Sequence, residues 1–167
     1  DRILAELRQL SDPEAIKGMA RYGIDTKNVY GVSIPTLRKM AKGLGKEHLL
    51  AQQLWDSGIH EARILASYVE DPNRVTASQL ERWVRDFDSW DLCDQCCGNL
   101  IDKTQYAFDK AIQWSQRKRE YVKRAGFVLM AALAVHDKHT KDRYFHKFLY
   151  RIKMESDDPR NYVRKAI

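Results

Sequence analysis

The stretch Phe87-Asp88-Ser89-Trp90-Asp91-Leu92-Cys93-Asp94 puts three aspartates and a tryptophan within eight residues. An aromatic face with a carboxylate at its edge attracts positive charge. Which acid is available for that depends on the local structure. Asp88 stands where an N-cap belongs, with Ser89 and Trp90 as the first helical residues, and Asp91 falls in the first turn, where a negative charge suits the helix dipole. The fold accounts for both. Asp94 lies a turn further in, beyond the reach of capping, and at i, i+4 from Trp90 it is that ring's neighbour. Spacing leaves two readings of Asp94. It is a salt-bridge partner for an arginine on the next helical repeat, or it is the carboxylate at the edge of an aromatic wall.

At about 100° per residue, Leu92, Cys93, Cys96 and Leu100 form the core stripe of this helix. Asp91, Gln95, Gly98 and Asp102 form its wet face, and Trp90, Asp94, Cys97 and Ile101 the flank between. Cys93-x-x-Cys96 has no second ligand pair elsewhere, so the three cysteines read as packed side chains and no metal site is expected. His136-Asp137-Lys138-His139 reads as a polar helix end and turn. Trp55, Trp83 and Trp114 fall at core spacing. The chain has no glycine-rich phosphate loop, Ser-His-Asp set or nucleotide motif, and no cofactor is expected. Three cysteines confined to residues 93–97 suit a reducing compartment, and a cytoplasmic location is expected.

The elements that must carry these residues are helices. Ile3, Leu4, Leu7 and Leu10 mark an amphipathic first helix. Ser11-Asp12-Pro13-Glu14 is an N-cap followed by proline at the first helical position, and Gly23 is placed to end that helix. The one β-looking stretch, Val29 to Ile34, runs directly into Pro35, which opens a helix closed by Gly43 or Gly45. Further helices are expected at about 47–56, 60–70, 77–86, 89–101, 105–116, 120–136, 141–154 and from 160 on. No apolar run approaches the roughly 20 residues a bilayer span needs, and no membrane partner is expected.

Short turns join helices of two alternating kinds, as in stacked antiparallel pairs. Tyr121-Val122-Lys123-Arg124-Ala125 recurs as Tyr162-Val163-Arg164-Lys165-Ala166, 41 residues on, within the period of HEAT-type repeats. The second helices of successive pairs carry Arg63, Asp94, Arg124 and Lys165 at matching places. An all-α solenoid of such pairs would line them along one concave surface. Charge is uneven: residues 1–100 hold 13 Lys and Arg against 15 Asp and Glu, and residues 101–167 hold 16 against 8. That basic half suits a polyanionic partner, although a solvated lysine-rich face would read the same way.

Taken together, Asp86 to Asp94, Glu120 to Ala125, Met19-Ala20-Arg21-Tyr22 and Gly31 to Arg38 resemble the AlkD-like DNA alkylation repair glycosylases, in order and over nearly the whole chain. The resemblance implies a HEAT-like α-α superhelix with a concave basic surface and a single domain over residues 1–167. It also implies a monomer that acts on alkylated double-stranded DNA and excises cationic purines such as 3-methyladenine and 7-methylguanine. It makes Trp90 and Asp94 the catalytic pair and Arg124 a DNA-contacting arginine, with Tyr22, Arg38, Lys123 and Lys165 as further DNA contacts. A cationic purine is already a good leaving group, so what remains is to stabilise charge developing on the deoxyribose. The competing reading is a helical-repeat module that grips DNA or a protein and cuts no bond. The chain stops at Ile167 in what reads as mid-helix, with no C-cap glycine and no closing polar repeat. The expectation is a sequence cut short of its natural end, with a second active-site tryptophan implied just beyond, and faster excision once those residues are restored.

Overall fold

The structure, a computed structural model, describes residues 2–167, and among them there is no strand. The chain divides into two compact units, residues 1–74 and 75–167.

The first unit holds α1 (Arg2–Gln9), α2 (Pro13–Arg21), α3 (Ile34–Leu44), α4 (His48–Asp56) and α5 (His60–Val69). The caps follow the sequence signals. The Asp12 carboxylate accepts the N–H groups of Glu14 and Ala15 at 3.0 and 3.1 Å, Pro13 opens α2, and Gly23 turns the chain at φ +77°. Ser33 caps α3 through Thr36 N–H, and Gly45 rather than Gly43 ends it, at φ +71°. Both α3 and α4 pack on α5, whose Ile64, Leu65, Ala66 and Val69 are buried with Trp55 of α4. The β-looking segment forms no strand. Its backbone, which turns at Gly31 with φ +76°, is held instead by the buried carboxylate of Glu61 on α5, which accepts from the N–H groups of Tyr30 (2.9 Å), Gly31 (2.6 Å) and Val32 (3.3 Å). A sheet ladder is unnecessary where one side chain satisfies three amides.

The second unit holds α6 (Ala77–Arg85), α7 (Trp90–Asn99), α8 (Ala107–Trp114), α9 (Glu120–His136), α10 (His146–Met154) and α11 (Asn161–Ala166), with 3₁₀ turns at Ile101–Lys103 and Asp142–Tyr144. Helices α7, α9 and α11 lie side by side, and α8 packs across α9. Direction and register can be read from two thiols. Cys93 donates to the carbonyl of Tyr121 and Cys97 to that of Ala125, so four residues along α7 match four along α9 and the two helices run the same way. This contact also buries Cys97 and Ile101 completely. Helical periodicity put them on a flank half open to water, but α9 covers that flank. Trp83 and Trp114 are in the core as expected.

Gly126 marks the closest approach of α8 and α9. A Cβ built there would stand 2.3 Å from Ser115 N and 2.9 Å from the Ala111 carbonyl oxygen, both backbone atoms. Alanine would raise helix propensity by about 1 kcal/mol, but overpacking against an unyielding backbone costs about 1–3 kcal/mol or more. Gly126→Ala is therefore expected to lower unfolding free energy by up to about 2 kcal/mol in urea denaturation, against its propensity.

Candidate active site

The N-cap of α7 is Ser89, with φ −148° and ψ 158°, and Trp90 is the first helical residue. The expected cap, Asp88, lies one position outside, so the helix starts a residue later than its sequence suggests. Ser89 is fully buried and makes no capping bond through its side chain. The shift leaves Asp94 one turn in and on the side of α7 that faces α9.

There Asp94 meets Arg124. Arg124 Nε donates to Asp94 Oδ1 at 2.9 Å and Nη2 to Oδ2 at 2.8 Å, a two-pronged pair. A third bond runs from Nη1 to the Tyr162 carbonyl of α11 at 2.6 Å. Arg124 thus joins all three helices. The pair is unequally buried: the Arg124 side chain is 8% exposed and that of Asp94 33%. The guanidinium is an internal brace, and the carboxylate keeps an open side. Burial pushes the Asp94 carboxyl above the ordinary aspartate range, the Arg124 hydrogen bonds and charge draw it partly back, and Asp91 adds to the rise. Burial works against the charge of Arg124 too, but Asp94 more than offsets it.

Around this pair lie residues that sequence reasoning did not single out. The Tyr121 and Tyr162 rings sit 5.6 Å apart at 35°, and the Glu120 carboxylate accepts Tyr162 N–H at 3.2 Å. Burial, then the neighbouring Tyr162 and Glu120, push the Tyr121 phenol up to about 12. The signal was present in the repeated pentapeptide, which set Tyr121 and Tyr162 at equivalent places.

Of the expected DNA contacts, Lys165 is exposed and its ammonium stands 5.8 Å from the Tyr162 ring centre. Lys123 differs from expectation. Its ammonium is nearly buried and donates to Glu155 at 2.5 Å and Asp158 at 2.7 Å. A lysine so enclosed between two carboxylates is a structural tie, and a phosphate contact does not suit it. Arg124 likewise lies inside, with three protein acceptors, rather than on the surface. Tyr22 and Arg38 belong to the first unit: Tyr22 is 70% exposed after α2, and Arg38 is exposed on α3 with Nε donating to the Tyr68 hydroxyl at 3.0 Å.

Cys93 and Cys97 are completely buried, and burial raises both thiols. Among the described residues no group of three His, Cys, Asp or Glu side chains is placed to hold a metal ion, and no helix is long and apolar enough to cross a membrane.

The family model for DNA alkylation repair enzymes matches residues 3–167. The chain belongs to that family. Two relatives of this DNA alkylation repair family member are uncharacterized proteins of Listeria innocua and Listeria monocytogenes. Each is 28% identical over 131 residues, covering 76% of this chain and 58% of the relative. The matched stretch thus spans little more than half the length of these curated relatives. Among solved structures, one chain superposes with a TM-score of 0.88 at 21% identity, covering 99% of this chain and 71% of its own length. It is described as representing a new family of proteins related to the HEAT-like repeat DNA glycosylases, with affinity for branched DNA structures. The DNA alkylation repair chain described here shares that all-helical, HEAT-like fold.

Proposed function

We propose that this protein is a DNA glycosylase that hydrolyses the N-glycosidic bond of cationic alkylated purines, 3-methyladenine and 7-methylguanine, in duplex DNA. The observation that carries this reading is the half-open Asp94 carboxylate, fixed by Arg124 one turn from the half-buried Trp90. As the bond stretches, positive charge grows on the deoxyribose. Asp94 stabilises it from its open side and Trp90 offers a ring face to it. The ion pair with Arg124 limits the gain. A developing charge about 4 Å from the carboxylate and roughly 8 Å from the guanidinium gains about 4 kcal/mol from one and loses about 2 to the other at an effective dielectric near 20. The net is about 2 kcal/mol, roughly thirtyfold in rate. Lys165, Arg38 and Tyr22 contact the phosphate backbone in this reading, and the protein acts as a cytoplasmic monomer.

A specific observation favours a second reading. The Asp94–Arg124 pair is complete as a structural tie, and its presence alone does not require chemistry. A module that binds DNA without cutting it would keep the same pair, and affinity for branched DNA structures is described for a protein of the same fold.

The deciding experiment incubates the chain with methylated duplex DNA and identifies the bases released by chromatography. Release of 7-methylguanine and 3-methyladenine supports the glycosylase. No release, together with tight binding to a four-way junction, supports the module. Both readings share one expectation. Lys165→Gln should weaken duplex binding and reduce the slope of log K against log salt by about 0.9, one released counterion. An unchanged slope would place Lys165 away from the phosphates.

A further inference from the structure

Two adjacent residues of α9 reach toward the segment that leads into α11. Arg124 holds the Tyr162 carbonyl, and Lys123 holds Glu155 and Asp158. Helix α11 starts after Arg160 with no side-chain cap. What sets its starting point is Asp158. Its Oδ1 accepts Arg160 N–H at 3.1 Å and Arg160 Nε at 2.9 Å, and its Oδ2 accepts Lys123 Nζ at 2.7 Å and Arg160 Nη2 at 2.5 Å. Arg160 in turn donates to the carbonyl of Lys118, in the turn before α9. One nearly buried carboxylate therefore ties the entry to α11 onto the first turns of α9. Four residues later in the chain stands the carbonyl that supports Arg124 on the side away from Asp94.

We propose that Asp158 is a positioning residue for the Asp94–Arg124 pair: by fixing the start of α11 against Lys123, it places the Tyr162 carbonyl that holds the guanidinium, and so sets the direction in which the Asp94 carboxylate faces. The proposal rests on the glycosylase reading for its effect on rate, but not for its effect on Arg124. Loss of the tie lets α11 shift, Nη1 loses its acceptor, and the fork turns with the carboxylate it grips. A misplacement of about 1 Å at such a group is enough to cost one to two orders of magnitude in rate.

The test has two arms, both on the full chain. In the first, Arg124 Nε–H exchange with solvent is followed by NMR in the wild type, in Asp158→Asn and in Glu81→Gln, a control that disturbs the separate Glu81–Lys110–Trp114 cluster. Exchange at least fivefold faster in Asp158→Asn, and unchanged in the control, is expected. Equal exchange in all three overturns the proposal. If Asp158→Asn does not fold, Lys123→Gln, which removes the same tie from the other side, is measured against the same criterion. In the second arm, Asp158→Asn should lower kcat for base release about tenfold and move KM less than twofold. Combined with Arg124→Lys, which abolishes the fork, it should add nothing further. Multiplicative losses would mean that Asp158 acts independently of Arg124, and the proposal falls. A wild type that releases no base defeats the glycosylase reading, and the exchange arm then decides this proposal by itself.

Discussion

Arg124→Ala is expected to lower unfolding free energy by about 3–5 kcal/mol, the usual cost of breaking a buried pair by removing one partner. The substitution leaves the Asp94 carboxylate with neither of its charged donors and strips the Tyr162 carbonyl of a bond at 2.6 Å. Both acceptors belong to helices that Arg124 joins to α9, so the loss falls on the packing of α7 and α11 together. Part of it should return when the stranded charge is removed as well. The double variant Asp94→Ala/Arg124→Ala is expected to be more stable than Arg124→Ala alone in urea denaturation, because an unpaired buried charge costs more than its absence. Arg124→Ala with near-native stability would mean that the pair is open in solution and the guanidinium is available to phosphate. Its weakened grip on duplex DNA would then be the main effect.

The second large effect is on chemistry. Asp94→Asn keeps the shape and can still accept from Arg124, but it carries no charge for the sugar to meet. Release of 7-methylguanine should fall roughly a thousandfold, because the attraction of about 4 kcal/mol is lost while the repulsion from Arg124 stays, and affinity for undamaged duplex should stay within twofold. The pH profile supplies an independent check. Burial holds the Asp94 carboxyl above the ordinary aspartate value, with Arg124 and Asp91 pulling in opposite directions on it. The reaction needs the ionised form, so activity should decline as pH falls through this raised value, at a higher pH than an exposed aspartate would give. Asp94→Asn should abolish that acid limb. Stability runs the other way for the same group. A raised folded value favours the fold below the unfolded pKa, and that contribution fades as pH rises through the folded one. A variant that excises at the wild-type rate would reduce Asp94 to a structural ion pair and leave the binding module as the reading that stands.

Local chemistry made the helices legible in the chain. Asp12 before Pro13, Pro35 at the opening of α3 and the glycines at 23 and 45 act within a few residues, so each of these boundaries is set by atoms close in sequence. Periodicity placed Trp55, Trp83 and Trp114 in the core for the same reason, since burial of a large ring needs only that it fall on the inner stripe. The offset between Tyr121 and Tyr162 announced equivalent helices. It could not say that these lie against each other, nor that the Tyr162 carbonyl would reach Arg124. The sequence left Asp94 with two readings, and the tertiary structure decided that it is paired, because the choice depends on which residue of α9 arrives beside it. The parallel register of α7 and α9, set by packing, brings Arg124 there. Packing of α9 against the segment that leads into α11 turned Lys123 inward to Glu155 and Asp158, although the resemblance implied a DNA contact there. Charge and helix patterning are properties of the chain alone. Whether a given cation meets a carboxylate of its own protein or a phosphate of another molecule is fixed only when residues some 30 positions apart are brought within 3 Å.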